Sequence, residues 1–198
     1  MLILASNSPR RLELLRVARI PFVVESPSVD ESPLRGETAA RLTERLARDK
    51  ALAIAEQHPE DFILGADTVV VLNNSAGAVV EVLGKPADEA DAARMLRSLA
   101  GRSHQVITGI CLVSRVTGAV PSRRLRSAAV TTTVTMNPIS DAEIAAYVAT
   151  GEPLDKAGAY AIQGMAARWI SRVEGCYYNV VGLPLPVLYK WLVAEGLV

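Results

Sequence analysis

The sequence carries no surplus of either charge: Lys+Arg and Asp+Glu stand at 21 each in 198 residues, a formal net charge of zero. A general nucleic-acid binder normally shows a basic excess, so that class is disfavoured and any anion site must be built locally. Cysteine is scarce. Cys111 and Cys176 form no CxxC pair, which leaves no zinc-ribbon or dithiol motif and two ordinary thiols of a reducing compartment. No apolar run reaches the ~18 residues that span a bilayer. The opening Met1-Leu2-Ile3-Leu4-Ala5-Ser6 has neither the basic leader nor the apolar length of a signal peptide. A soluble cytoplasmic protein without membrane partners is the expectation. GxGxxG, HExxH and GxSxG are also missing, which removes dehydrogenase, zincin and α/β-hydrolase readings. Gly84-Lys85 is not a phosphate-binding P-loop, because Pro86 stands where Ser or Thr belongs and Val79 where glycine belongs.

What is present describes an ordinary folded chain. Half the residues are hydrophobic and 21% are charged, enough for a sizeable core and most simply one domain over 1–198. Leu2 to Ala5 reads as a short buried strand, and Ser8 with Pro9 as the N-cap and first position of a helix. Phe22 to Glu25 is a second strand. A long helix is expected from Glu37 to about Gln57, with Ala39, Leu42, Leu46 and Ala53 on one face and Lys50 at its edge. Phe62 to Leu72 is apolar on both faces and should be a central strand. Asn73 to Gly77 turns the chain back through Val79 to Leu83, and Asn73-Asn74-Ser75 is read as part of that turn rather than a glycosylation site. A helix over Asp88–Leu99, strands over Gln105–Val113 and Ala128–Met136, and a turn at Val116-Thr117-Gly118 follow. Ser140 and Glu143 have capping-box spacing for a helix to Thr150, ended by Gly151. A strand at Arg168–Val173 and a helix over Pro184–Glu195 close the chain. The order predicts an α/β fold with a mixed twisted sheet flanked by helices.

Three segments have the composition of a site. Asp67 stands in a strand whose other side chains are apolar or small, where a carboxylate is costly unless a cation, a metal or hydrogen bonds compensate. A strand-end Asp capping a loop is the other reading. In Ser6-Asn7-Ser8-Pro9-Arg10-Arg11, a hydroxyl-rich turn leads from strand into helix, where backbone N–H groups point at an anion. Arg10 and Arg11 oppose the helix dipole and make sense beside a phosphate, or else as solvated arginines after a plain N-cap. Lys50 and Lys85 could serve the same anion or lie in solvent. In Glu152 to Gly164, Gln163 offers a donor and an acceptor suited to a base edge, or is an ordinary loop amide. His58 and His104 lack partners at metal spacing and read as structural. Arg123-Arg124-Leu125-Arg126 reads as a solvated loop leading into a strand, with nucleic-acid contact a minority reading.

Taken in order, six blocks resemble the Maf family of nucleotide pyrophosphatases. They are Leu2 to Arg11, Gly65-Ala66-Asp67-Thr68-Val69-Val70, Gly84-Lys85-Pro86, Leu99 to His104, Asp155 to Tyr160 with Ile162-Gln163-Gly164, and Asn179 to Pro184. The resemblance implies two lobes around a central cleft, similar to the inosine-triphosphate pyrophosphatases. It implies hydrolysis of a nucleoside triphosphate to the monophosphate and pyrophosphate with a divalent cation, Mg²⁺ or Mn²⁺. Ala66-Asp67-Thr68 with Ile162-Gln163-Gly164 is similar to the branch acting on dTTP and UTP, and modified pyrimidine triphosphates stay open as substrates. By position, Asp67 corresponds to the base or metal-linked carboxylate and Glu31 to the acid near the metal. Ser8, Arg10, Arg11, Lys50 and Lys85 correspond to triphosphate ligands. Arg10, Thr68 and Gln163 correspond to the positions of base choice. A nucleotide-binding regulator of septum formation without turnover is the alternative, and a homodimer is left open.

Overall fold

The apolar runs of the sequence become strands of one sheet. The structure, a computed structural model, describes residues 1–74, 76–116 and 122–198, without the side chains of 115, 116 and 122. The strands are β1 (Leu2–Ala5), β2 (Val23–Glu25), β3 (Phe62–Asn73), β4 (Val79–Leu83), β5 (Ser103–Val116), β6 (Ser122–Met136) and β7 (Ile170–Glu174). The helices are α1 (Pro9–Val17), α2 (Ala39–Ala55), α3 (Glu89–Leu99), α4 (Asp141–Val148), α5 (Tyr177–Val181) and α6 (Leu185–Ala194). Strand order is β2-β1-β3-β5-β6-β7, with β4 also on β3. β1 runs parallel to β2 and β3, whereas β4 on β3 and β7 on β6 are antiparallel, so the sheet is mixed as the element order predicts.

β3 is interior, and its two-sided burial explains its unbroken apolar run. Its first four residues pair with β1 (Leu2↔Phe62 to Ala5↔Gly65) and its last four with β4 (Val70↔Leu83 to Asn73↔Val79). Ala66 to Val69, including Asp67, pair with neither of those two strands.

Several elements differ in length from the sequence reading, each for a local reason. α2 starts at Ala39 because Thr38 caps it, the Thr38 hydroxyl accepting from Arg41 N–H at 3.3 Å. β6 begins at Ser122, well before Ala128, since a long ladder carries polar Ser and Arg that alternation alone would assign to loop. The five-residue α5 is too short to show a helical period, and 3-10 turns at Glu152–Asp155, Ala157–Ala159 and Met165–Trp169 have no periodic signature at all. The α4 capping box forms as expected, Ser140 and Glu143 each satisfying the other's backbone N–H. In the β3–β4 turn, Asn74 Oδ1 accepts from Ala76 N–H at 3.0 Å and Ala78 N–H at 2.9 Å. Ser75 and the expected turn at Thr117-Gly118 lie outside the described residues.

The chain divides into two compact units: Met1–Asp67, Thr108–Val130 and Gly182–Val198 form the first, and Thr68–Ile107 with Thr131–Val181 the second. The first packs α2 on the sheet through Ile3, Ala5, Ala47, Ala51, Ile54, Ala55, Ile63, Cys111 and Val113. Here the helix and sheet backbones all but touch. A Cβ added at Gly65 would lie 1.9 Å from the Ala47 carbonyl oxygen, and one at Gly109 would lie 2.2 Å from that of Thr43. Only glycine admits that approach on two different strands. The second unit has a core of larger side chains, including Leu72, Leu83, Met95, Leu99, Tyr147, Tyr160 and Trp169.

Candidate active site

β1 delivers the chain into the turn that carries the first charged residues. Ser6 is buried, and its hydroxyl accepts from Ser8 N–H at 3.2 Å and from Arg11 Nη1 at 3.1 Å. Pro9, with its preset φ, then opens α1. Ser8 occupies the N-cap as expected, although its side chain makes no cap hydrogen bond. Arg11 is not solvated. It is buried on the inner face of α1, with Nε donating to the Gly182 carbonyl at 2.9 Å. Burial lowers its pKa from the ordinary arginine value, Asp67 opposes that, Arg10 adds to it, and Glu31 opposes it. The guanidinium stays charged, so a buried cation sits in the field of two carboxylates. Arg10 is half-buried on the same turn.

The cation that Asp67 needs is Lys50. Lys50 Nζ lies 2.7 Å from Asp67 Oδ1 and 2.6 Å from Glu31 Oε1. Lys50 and Asp67 are 9% and 8% exposed, which corrects the reading of Lys50 as an edge or surface residue. Its position follows from the glycines: Gly65 lets α2 descend onto β3, and Asp67 projects from the same strand face two residues on. Lys50, one turn beyond Ala47, is thereby brought to the carboxylate. The Glu31 carboxylate is more than half exposed and arrives on the loop after β2. That loop is clamped by Arg45, whose guanidinium donates to Glu37 at 2.7 and 3.0 Å and to the Ser32 carbonyl at 3.0 Å. The Arg45 hydrogen bonds, then the Leu34 N–H, hold the Glu37 carboxyl down at about 2. Asn7 Nδ2 donates to Ser26 Oγ at 2.6 Å and ties the start of the same loop to the β1–α1 turn.

Ser6, Ser8, Arg10, Arg11, Glu31, Lys50 and Asp67 therefore all belong to the first unit. Thr68, Lys85 and Gln163 belong to the second. Thr68 is half-buried on β3, while Lys85 and Gln163 are exposed. Gln163 occupies a turn closed by Gly164 N–H on the Ala161 carbonyl at 3.1 Å. Lys156, in the same stretch, is engaged locally, its ammonium meeting Asp155 and the Glu152 carbonyl.

The other flagged groups are structural. His104 is buried, bonds Tyr160 Oη through Nε2 at 2.8 Å, and is pushed down to about 4 by burial. His58 pairs with Glu25 at 2.6 Å. Burial pushes the Cys111 thiol up to about 12, which makes it inert at neutral pH. Arg123 donates to the Ala55 carbonyl, and Arg124 and Arg126 pair with Glu195 at 3.6 and 3.0 Å. The arginine run thus lies on β6 from its start, as the strand part of the reading expected, and pairs within the first unit although Arg124 stays about half exposed.

Among the described residues no cluster of three or more Asp, Glu, His or Cys could hold a metal ion. Two carboxylates do converge, since Glu31 and Asp67 meet the same nitrogen. That donor set fits Mg²⁺ or Mn²⁺, hard cations that usually take one or two carboxylates and complete their shell with water and substrate phosphate. Residues the sequence reading passed over are Ser6 and Arg45. Ser6 stands in the quoted motif but looked like one of its two hydroxyls, and Arg45 had no local signal because its partners come from a loop.

The chain belongs to the family of Maf-like proteins, whose model matches residues 1–195. It is 52% identical over 195 residues to the dTTP/UTP pyrophosphatase of Koribacter versatilis, covering 98% of this chain and 94% of that one. It is 53% identical over 195 residues to the dTTP/UTP pyrophosphatase of Symbiobacterium thermophilum, with the same coverage. The dTTP/UTP pyrophosphatase of Geobacter sulfurreducens is 52% identical over 184 residues, 93% and 91% of the two chains. Among solved structures, the Staphylococcus aureus Ham1 protein aligns over 98% of both chains at 16% identity and a TM-score of 0.45.

Proposed function

We propose that this chain hydrolyses dTTP and UTP to the monophosphate and pyrophosphate, in the cytoplasm and with a divalent cation. The observation that carries the reading is the buried Asp67–Lys50 pair joined by Glu31, beside the buried Arg11. Such a cluster of alternating charge is what a triphosphate and its cation can enter by exchange of partners. Relatives about half identical over nearly the whole chain bear the name dTTP/UTP pyrophosphatase, which supports the substrate. Among the described residues no helix is long and apolar enough to cross a membrane.

In this reading Ser8, Arg10, Arg11, Lys50 and Lys85 take phosphate oxygens, and Arg10, Thr68 and Gln163 serve base choice. Lys50 turns from the carboxylates to the phosphates, and the freed Glu31 and Asp67 are the residues that would hold a divalent cation. A bound cation would neutralise phosphate charge and make water easier to deprotonate. Asp67 accepts the proton of the attacking water. The bond between the α- and β-phosphates breaks, the water oxygen stays on the product it attacked, and the proton passes to the departing oxygen or to solvent. Most of the barrier reduction then comes from positioning and charge.

The test is a panel of canonical and modified nucleoside triphosphates with Mg²⁺ and Mn²⁺, assayed for monophosphate and pyrophosphate. Pyrimidine-selective, metal-dependent pyrophosphate release is expected. Orthophosphate release, a purine preference, or tight binding without turnover would overturn the reading.

A further inference from the structure

The turn bearing Gln163 is held from behind by one acidic residue. Glu152 Oε1 accepts from the Tyr147 hydroxyl at 2.8 Å and from Met165 N–H at 3.2 Å, and Oε2 lies 3.3 Å from the same N–H. The Tyr147 oxygen in turn accepts from Ala161 N–H at 3.3 Å. A single phenol–carboxylate pair thus takes up the N–H groups on both flanks of Ile162-Gln163-Gly164. The contact at Gly164 is equally specific. A Cβ there would lie 2.0 Å from Glu152 Oε1, so the carboxylate rests against bare backbone. Tyr147 is fully buried and its ring meets Trp169 edge-on at 5.3 Å, which anchors the staple in the core of the second unit. Gln163 itself stays exposed, so the device rigidifies the main chain while leaving the amide available.

We infer that Glu152, backed by Tyr147, is a positioning residue that sets the Gln163 turn for base choice. The inference rests on the reading of the chain as a pyrimidine triphosphate pyrophosphatase. A carboxylate suits the task because one oxygen can accept two hydrogen bonds while the other reinforces the Met165 N–H. Without it, the Met165 N–H loses its acceptor and the Tyr147 hydroxyl that receives Ala161 N–H loses its anchor, so the amide reaches the base edge from a spread of turn conformations.

The experiment compares steady-state kinetics of UTP, dTTP and a purine triphosphate in the wild-type enzyme, Glu152→Ala, Glu152→Gln, Gln163→Ala and the Glu152→Ala/Gln163→Ala double variant. Glu152→Ala should raise KM for UTP and dTTP about tenfold, the worth of one or two hydrogen bonds, with kcat changed far less and purine turnover barely altered. Glu152→Gln keeps an acceptor for both N–H and hydroxyl and should recover most of the loss. The double variant should be no worse than Gln163→Ala, because both act through one contact. Additive effects, an unchanged pyrimidine preference in Glu152→Ala, or a fall in kcat alone would overturn the inference. If Glu152→Ala does not fold, Tyr147→Phe removes one arm of the staple and should raise the pyrimidine KM about threefold; no change there overturns it too. A wild-type enzyme without pyrimidine preference would defeat the functional reading itself, and is seen before any variant is made.

Discussion

Around α2, the first unit packs Ala5, Ala47, Ala51 and Ala55 against strands that offer glycine, whereas the second fills its core with Leu, Met, Tyr147, Tyr160 and Trp169. Small residues bring backbones together, and large ones hold them apart. The close approach places Lys50 on Asp67 and leaves a buried ion cluster next to the sheet. In the second unit, polar groups among large side chains pair with each other, as His104 Nε2 does with Tyr160, or turn to the backbone, as with Tyr147 and Glu152. A region built around an ion cluster is thus packed differently from one whose polar groups secure a turn.

The sharpest way to break this contrast is at Asp67. Asp67→Asn should lower pyrophosphate release by at least about 10²-fold while circular dichroism stays native; full turnover in that variant would remove the ion cluster from the chemistry. The second unit is tested through acid. His104 is held at about 4, below its ordinary value of 6.5, so the unfolded chain takes up the proton first. Stability is complete above pH 6.5 and should decline by up to about 3 kcal/mol towards pH 4. His104→Asn should flatten that slope in urea titrations, and an imidazole found by NMR to titrate at its ordinary value would show that the core is wetter than its packing implies.

Gly65→Ala should cost about 1–3 kcal/mol, since α2 must lift off the strand. The same change at Gly84, which has nothing within 4 Å, should stay within about 0.5 kcal/mol. Equal urea midpoints for the two variants would dissolve the distinction between close and loose packing. A modest effect is expected from Lys50→Met: with the resident cation gone, Mn²⁺ should bind about fivefold more tightly without nucleotide, a gain of ~1 kcal/mol in line with one screened charge pair. Calorimetric titration that finds no tighter binding would mean that Lys50 does not compete for the carboxylates.

Much of the fold was legible because local rules governed it. The two-sided apolar run of β3, the Ser140–Glu143 capping box and Pro9 at the start of α1 each formed where the sequence pattern puts them. Asp67 was legible as a carboxylate in need of a cation, since no apolar strand tolerates it alone. The identity of that cation was not legible, because Lys50 is 17 positions away on another element and looks like any lysine at a stripe edge. The partners of Arg11 were not legible for the same reason, since they are Ser6 and the distant Gly182. Glu152 stood in a segment already singled out, yet nothing in the spacing tied it to Gly164 and Met165.

By itself, then, the sequence determined the element types, the mixed sheet and the family, because periodicity, caps and ordered motifs are properties of neighbouring residues. It also determined that a charge would be stranded on β3 and that Gly65 would stand two residues before it. Only the tertiary structure decided what answers that charge. Gly65 and Gly109 let α2 approach to backbone contact, Arg45 clamps the loop that brings Glu31, and Lys50 closes onto both carboxylates. These are long-range pairings, set by how closely two surfaces can pack, and packing distance is not written in any one segment.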